Sequence, residues 1–248
     1  MSAQYFNNRK SCRFFKNNSI SLQQINEIIS LACKAPTCGN MQLYSVIVTL
    51  DETRLKSLAQ MHYNQPAATT APAILTVCAD FNRFTRWCEI NHADAGYDNF
   101  HSFIMAMTDA VIFSQQIVTV AEMKGFGTCY LGTVTYNATE ISEFLEVPEL
   151  VVPVASLAIG IPEKEGEETR RLPIDAIINH ETYSNLSDDE TVNLYKIHDD
   201  DPENQKYIKE NKKETLAQVF AEIRYPKVLN EEISKTFMAL LGNKNFLK

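Results

Sequence analysis

The chain has 248 residues, 45% of them hydrophobic, which is enough for a sizeable core within one globular body. Its formal net charge of -8 argues against the spread positive potential that nucleic acids and anionic membranes require. No signal peptide or run of about 18 apolar residues stands out, and the 6 cysteines form no CxxC pair, so we expect a cytoplasmic protein with free thiols and no membrane segment.

The first half of the chain shows one amphipathic helix and two strands. From Ser21 to Ala35 apolar residues recur at helical spacing, and Ser21 and Gln24 are placed as a capping box. Runs rich in β-branched residues predict buried strands at 44–50 and 73–81, with a short helix between them.

The segment 99–124 is apolar on nearly every face. It is interrupted by a few polar residues, namely His101, Asp109, Gln115, Gln116 and Glu122. A helix of this composition is typical of one buried in protein rather than in lipid. We therefore predict a long central helix.

After Gly125 the pattern predicts a strand at 128–136, a helix at 139–146, a strand at 151–162 and a charged loop at 163–173. Helices and strands are mixed without the even βαβ rhythm of a doubly wound sheet. This order indicates an α+β fold.

Beyond Thr182 the chain becomes polar and charged, and helical periodicity returns from Thr215 to Leu241. We interpret this part as an appended arm rather than a second domain. The expected organisation is a core of residues 1–183 and a C-terminal helical arm of residues 184–248.

A basic cluster near the N-terminus is the first candidate binding segment. Arg9, Lys10 and Arg13 lie within five positions of one another, with the hydroxyl of Ser11 among them. Such a cluster is usually a solvated face when it stands alone. Two more segments, RRLP at 170–173 and APTCGNMQ at 35–42, add cations, small residues and amides, so the three together predict a phosphate pocket.

The glycines in KGFGTCYLG do not form a dinucleotide-binding motif. A G-x-G-x-x-G pattern that starts at Gly125 needs glycine where Tyr130 stands, and the segment runs from helix into strand. These glycines are better interpreted as places where the chain turns or lets a flat ligand approach.

Several motifs occur in the order and spacing of a known family, and they span most of residues 8–183. They are R-K-S-x-R at 9–13, A-P-T-x-x-N-x-Q at 35–42, C-A-D-F-N-R at 78–83, G-F-G-x-x-Y-L-G at 125–132, G-x-P at 160–162 and R-L-P at 171–173. On these residues the chain resembles the FMN-dependent nitroreductase and flavin reductase superfamily, and its NADPH-linked nitroreductase A branch in particular.

The resemblance implies a nitroreductase-like α+β fold, with a mixed, mainly antiparallel sheet flanked by helices. It also implies a homodimer whose tails embrace the partner, with one FMN in each of two sites at the interface. The implied activity is transfer of electron pairs from NADPH or NADH through FMN to nitroaromatic or quinone acceptors. A flavin reductase or a non-catalytic flavin-binding module stays open as an alternative.

By the same resemblance, the FMN phosphate is held by four residues: Arg9, Lys10, Ser11 and Arg171. Arg13 lies at the pyrimidine side of the ring, where a fixed cation favours the reduced, negatively charged flavin.

The other implied flavin contacts come from three places in the chain. Pro36, Thr37 and Asn40 meet the ribityl chain or the ring edge, Gln65 bonds the pyrimidine edge, and a short run lies along the ring: Tyr130, Leu131 and Gly132. The alternative for Gln65 is a loop amide without a ligand, and for Tyr130 and Leu131 it is ordinary strand packing.

The implied site for the 2'-phosphate of NADPH falls near residues 203–213. The basic residues there are Lys206, Lys209, Lys212 and Lys213, and they follow an acidic run, so the choice between NADPH and NADH stays open.

Other candidate sites are weaker. Cys38 is a candidate redox thiol with a pKa lowered by basic neighbours, against the alternative that a small residue merely fits the loop. A zinc site at Cys88, His92, Asp94 and Asp98 lacks a second ligand pair. The segment 199–210 matches a calcium loop only in part, because Asn204 replaces the required glycine and Pro202 intrudes, so we interpret it as a solvated acidic loop.

Overall fold

The computed structural model describes three stretches of the chain: 3–17, 20–166 and 170–248. Residues 167–169 of the predicted charged loop therefore lie outside the described residues. The contacts divide the chain into two compact units, one of Met1–Glu167 with Ile233–Lys248 and one of Glu168–Glu232. The predicted boundary after residue 183 falls within the second unit and stays a prediction.

The first unit contains a four-stranded antiparallel sheet in the order β1-β2-β4-β3. Its strands are β1 Tyr44–Thr49, β2 Ala73–Asp80, β3 Gly127–Tyr130 and β4 Val151–Gly160. The central strands β2 and β4 are buried along their whole length, which explains their continuous apolar sequence. The register shifts where Cys78 faces Pro153, because proline has no N–H for the ladder.

Helices pack around this sheet in the first unit, and the second unit is also built of helices. In the first unit they are α1 Ala3–Asn7, α2 Leu22–Ala32, α3 Glu52–Met61, α4 Pro66–Thr70, α5 Asn82–Ile90, α6 Phe100–Met123 and α7 Ala138–Phe144. Further along the chain come α8 Asp188–Asp199, α9 Pro202–Glu210, α10 Leu216–Gln218 and α11 Lys227–Asn243. The capping box of Ser21 and Gln24 begins α2, as predicted.

The side chains of β2 alternate between two apolar layers. Leu75 and Val77 pack in the layer that contains α2 and α6, whereas Ile74 and Cys78 pack in the layer that contains α3, α4 and α7. The sheet is therefore covered on both faces.

The predicted central helix is confirmed as α6, which begins after the N-cap Asn99. By length and composition it could cross a membrane, but one face packs against the sheet and α2 within the core. Its opposite face exposes an apolar stripe, formed by Phe100, Ile104, Met107 and Val111.

Two predicted segments are wrong in part. The strand predicted at 128–136 ends at Tyr130, and Gly132–Thr135 is a 3-10 turn, because this edge segment leaves its single ladder partner after Leu131 donates to the Ser156 carbonyl at 2.8 Å. The acidic segment 199–210 is not a loop, since Asp201 caps α9 and Pro202 occupies its first position.

The helix predicted from Thr215 to Leu241 is interrupted. α10 is followed by a π-helical turn over Val219–Arg224, and α11 starts only after Pro226, which cannot donate a helical hydrogen bond. The end of α11 is anchored in the first unit, where Leu240, Leu241 and Phe246 are buried in the core.

Candidate functional site

The N-terminal basic segment lies along the edge strand β3. The Cys12 N–H donates to the Thr128 carbonyl at 2.9 Å. A Cβ on Gly127 would lie 2.6 Å from the Cys12 Cβ, and one on Gly166 would lie 2.5 Å from the Ser11 carbonyl oxygen. Both glycines are therefore required for the close approach of this segment.

Arg9 is held by a carboxylate in the last turn of α6. Its Nε lies 3.2 Å from Glu122 Oε2, and the side chains are 24% and 9% exposed. The contact is an ion pair rather than an aligned hydrogen bond. Glu122 also accepts from Tyr5 at 2.7 Å and from Thr128 Oγ1 at 2.5 Å, and these partners offset its unfavourable place at a helix C-terminus.

The surroundings of Tyr5 in this cluster raise the pKa of its phenol. Burial, the hydrogen bond to Glu122 and the negative charge of Glu122 together raise the pKa of Tyr5 to about 12. Tyr5 therefore stays a neutral donor at any working pH, and Glu122 keeps a proton-bearing partner beside Arg9.

A cleft of about 520 Å³ opens beside Arg9 and Lys10. Lys164 and Glu165 also line it, and Lys10 Nζ lies 2.8 Å from Glu165 in an exposed pair that contributes little free energy. The rim thus presents two lysine ammonium groups, Lys10 and Lys164, beside one fixed guanidinium, a set that suits a phosphate group. Ser11 is half-buried next to this rim, and Arg13 is exposed.

The far end of β3 brings together Gln65 and Gly132, which are 67 positions apart. Gln65 Nε2 donates to Thr133 Oγ1 at 3.1 Å, directly after Gly132. A Cβ on Gly132 would meet no atom within 4 Å, so open space adjoins this turn. An amide side chain and a glycine that adjoins open space therefore lie close together at this end of the strand.

The two residues before Gly132 differ in role. Tyr130 is 38% exposed, and partial burial raises its pKa to about 12. Leu131 is 1% exposed and packs in the core, so its side chain follows the alternative of ordinary strand packing.

The spacing along β3 fits an elongated ligand. Thr128, which contacts Glu122 of the arginine cluster, and Gly132 are four residues apart, or about 13 Å of extended chain. A cationic cleft therefore lies at one end of the strand and an amide with open space at the other. FMN has this distribution of groups, with a phosphate at one end and a planar ring with N–H and carbonyl groups at the other.

The loop that contains Pro36, Thr37 and Asn40 is strained and tied to α6. Its backbone is left-handed at three positions: Gly39 (φ 53), Asn40 (φ 57) and Gln42 (φ 53). Asp109 accepts from the Cys38 N–H at 2.9 Å and from the Leu43 N–H at 3.3 Å, so one buried carboxylate holds both ends of the strained turn. Thr37 Oγ1 accepts from the Gln42 N–H at 3.2 Å.

Asp109 also decides the state of Cys38. The hydrogen bond to Asp109 raises the pKa of the Cys38 thiol, and the expectation that basic neighbours lower it is wrong. This favours a small residue that fits the loop over a reactive thiolate. All 6 cysteines are free, as predicted.

Arg83, in the first turn of α5, anchors the same loop. Its guanidinium donates to the carbonyls of Gln42 at 2.6 Å and Tyr44 at 3.2 Å, and pairs with Asp80 at 3.4 Å. The strained loop is therefore fixed at the start of β1.

Two of the three segments that are predicted to share a phosphate pocket lie apart within one subunit. The loop 35–42 leads into β1, whereas the basic segment lies on β3, and these strands are the two opposite edges of the sheet. Three strand spacings, about 14 Å, separate the edges.

The other predicted residues belong to the second unit. Arg171 is exposed there, beside the ion pair of Arg170 and Asp201 at 3.3 Å. Two of the four candidate lysines are paired with acids: Lys206 with Glu210 at 3.7 Å, and Lys213 with Glu222 at 2.6 Å. Within the described residues, no three His, Cys, Asp or Glu side chains gather as metal ligands do.

The residues that orient the predicted ones were not among the predictions. Asp109 and Glu122 had a signal, since both interrupt an apolar helix, and a buried carboxylate requires partners. His62 and Thr133, which adjoin Gln65, had none, because their contact joins turns 71 positions apart.

Asp109 provides a test of the loop. We expect Asp109→Asn to lower the free energy of unfolding by about 1 to 2 kcal/mol, because an amide offers one acceptor oxygen and leaves one N–H of the loop without a partner. Urea denaturation measures this. The exposed Asp94→Asn is the control and should change stability by less than about 0.5 kcal/mol; an equal effect of both changes would contradict the clamp.

The chain is similar to known proteins along most of its length. Residues 7–161 match the family model described as "Nitroreductase family". Among curated proteins, the chain is 31% identical to a Cr(VI) reductase of Pseudomonas sp. (strain G-1), over 79% of this chain and 80% of the relative. It is 30% identical to an FMN reductase [NAD(P)H] of Bacillus subtilis (strain 168), over 88% and 90%.

A solved structure is also similar along nearly the whole chain. A crystal structure of a protein from Bacteroides fragilis NCTC 9343 superposes with a TM-score of 0.96 at 39% identity, and covers 99% of this chain and 100% of that one.

Proposed function

Because the chain belongs to the nitroreductase family, we propose that it is an FMN-dependent NAD(P)H oxidoreductase that delivers electron pairs to nitroaromatic or quinone acceptors. One observation supports this site above all: the Arg9 cleft lies at one end of the edge strand β3, and the turn of Gln65 and Gly132 lies at the other end. FMN, when bound, supplies the reversible two-electron chemistry.

The chain's own residues bind and orient. Glu122 holds Arg9 by its Nε, so the rest of the guanidinium is available to a phosphate at the cleft. At the other end, the amide of Gln65 is complementary to a ring edge with adjacent N–H and carbonyl groups, and Gly132 leaves room for a planar ring. Arg171 from the second unit and Arg13 beside the ring stay proposed contacts, as does the cytoplasmic location.

We propose a homodimer with the flavin at its interface. The apolar stripe of α6 has the spacing of a helix-packing face: Phe100 is 48% exposed, Ile104 42%, Met107 37% and Val111 44%. Asp109, on the buried face of the same helix, holds the loop 35–42 beside α6. In the proposed dimer, this loop of one subunit completes the pocket at the basic segment of the other. This arrangement provides the third segment of the pocket, which the sheet separates within one subunit.

If the apolar stripe of α6 forms the dimer interface, a charged side chain introduced there should weaken dimerisation. We expect Val111→Glu to weaken dimerisation by about 2 kcal/mol, or roughly thirtyfold, because a carboxylate would be buried in an apolar contact. Light scattering at a series of protein concentrations measures the change. Leu31→Glu on α2, where the leucine is 52% exposed, is the matched control; wild-type protein that is monomeric at all concentrations would contradict the dimer.

Anaerobic reduction of the FMN-loaded protein tests the activity. We expect both NADH and NADPH to reduce it, with rates within about tenfold, because two of the four candidate lysines near the proposed 2'-phosphate site are paired with glutamates. Reoxidation by a nitroaromatic, a quinone and free FMN follows under the same conditions. Absence of reduction by either nicotinamide would contradict the enzyme and favour a flavin-binding module.

The alternative of an NAD(P)H:FMN reductase has specific support, since the Bacillus subtilis relative carries that name. The same experiment separates the two, because a flavin reductase reduces free FMN faster than nitroaromatics or quinones.

A further inference from the structure

Two turns meet beside the proposed flavin ring, and the first is strained. The turn between α3 and α4 carries Tyr63 (φ 56) and Asn64 (φ 50), two consecutive non-glycine residues in the left-handed region. The Asn64 N–H donates to the Ala59 carbonyl at 2.7 Å. A turn with such a strained backbone persists only where neighbouring residues hold it in place. Gln65 is the first residue after the strained pair.

The contacts that hold the strained turn in place are made with the turn after β3. Asn137 Nδ2 donates to the Met61 carbonyl at 2.6 Å, and Gln65 Nε2 donates to Thr133 Oγ1 at 3.1 Å. His62 Nδ1 lies 2.9 Å from the same Thr133 oxygen. One hydroxyl therefore joins an imidazole and an amide from the facing turn.

The imidazole is an unusual partner. His62 is fully buried, and its Nε2 has no hydrogen-bond partner among the described residues. Burial lowers the pKa of His62 to about 4, so the ring is neutral, and a neutral ring pairs with a hydroxyl through one nitrogen. The contact with Thr133 is therefore the one hydrogen-bond contact of this buried ring among the described residues.

We propose that Thr133 and His62 are positioning residues that hold the Gln65 side chain at the lactam edge of the flavin ring. The Thr133 hydroxyl takes one N–H of the Gln65 amide, which leaves the carbonyl oxygen and the second N–H for the ligand. His62 fixes the hydroxyl from behind. The inference rests on the proposed function, since it requires FMN beside Gln65.

A double-mutant cycle with FMN as the probe tests this. The proteins are wild type, Gln65→Ala, Thr133→Val and the double variant, and the measurements are FMN affinity by fluorescence quenching and the visible spectrum of bound FMN. We expect Thr133→Val to weaken binding about fivefold and shift the spectrum, and to have no further effect once Gln65 is alanine. Thr133→Ser should restore both readouts, and Thr135→Val in the same turn is the control.

The outcomes separate the two ideas. Wild-type protein that binds no FMN overturns the proposed function and the inference with it. FMN binding that Thr133→Val leaves unchanged overturns the inference alone, and so does a Thr133→Val effect of equal size with and without Gln65, because the threonine would then act independently of the amide.

Discussion

Arg9→Ala is expected to weaken FMN binding by about 1.5 to 3 kcal/mol, or roughly ten- to a hundredfold, which is the usual contribution of charged hydrogen bonds. Riboflavin, which lacks the phosphate, should bind the variant and the wild type equally. Fluorescence titration with both flavins measures the two affinities. The ratio of FMN to riboflavin affinity is the quantity that reports on the phosphate contact.

The comparison with riboflavin is needed because Arg9 has a structural partner. Removing the guanidinium leaves Glu122, 9% exposed, with Tyr5 and Thr128 as its hydrogen-bond donors, so some loss of stability is expected. Arg86→Ala is the control, since Arg86 is exposed and pairs with Glu89 on α5. A parallel loss of both flavins, or no loss of FMN, would remove Arg9 from the phosphate site.

The second large effect is the response of the fold to acid. His62 has its pKa lowered by burial from 6.5 to about 4, so the unfolded chain binds a proton that the folded chain does not bind between these values. His62 therefore does not reduce the free energy of unfolding above pH 6.5, but it reduces it progressively as the pH falls from 6.5 toward 4. The loss is about 1.4 kcal/mol per pH unit and about 3 kcal/mol in total.

Urea denaturation at pH 7.5, 6.5, 5.5 and 4.5 measures this dependence. Because carboxylates also titrate at the acid end, the informative quantity is the difference between wild type and His62→Gln, whose stability should fall less steeply below pH 6.5. His180→Gln, a change at an exposed histidine, should follow the wild type. Equal slopes for wild type and His62→Gln would show that His62 is not a buried neutral ring.

The local features of the fold were predictable because short-range physics determines them. The capping box at Ser21, the buried strands and the long apolar helix follow from periodicity and capping within about ten residues. The acidic segment 199–210, which was predicted to be a loop, forms α9, because Asp201 caps the helix and Pro202 occupies its first position.

The candidate site likewise contains residues that the sequence predicted and residues that it did not predict. The roles of Arg9, Gln65 and Gly132 were implied by the resemblance to the family, and the structure brings Gln65 to the turn that begins at Gly132. The residues that orient them belong to contacts between distant segments. Glu122 reaches Arg9 across 113 positions, and Asp109 reaches Cys38 across 71.

The amino-acid sequence alone determined the capping box of α2, the two long buried strands, the central helix, the charge of the binding segment and the family motifs, since each depends on neighbours along the chain. Tertiary structure alone decided which buried group holds each binding residue, and that the loop 35–42 and the basic segment occupy opposite edges of the sheet. The physical reason is that strand order and buried ion pairs depend on long-range packing, and the spacing of residues along a chain does not specify it.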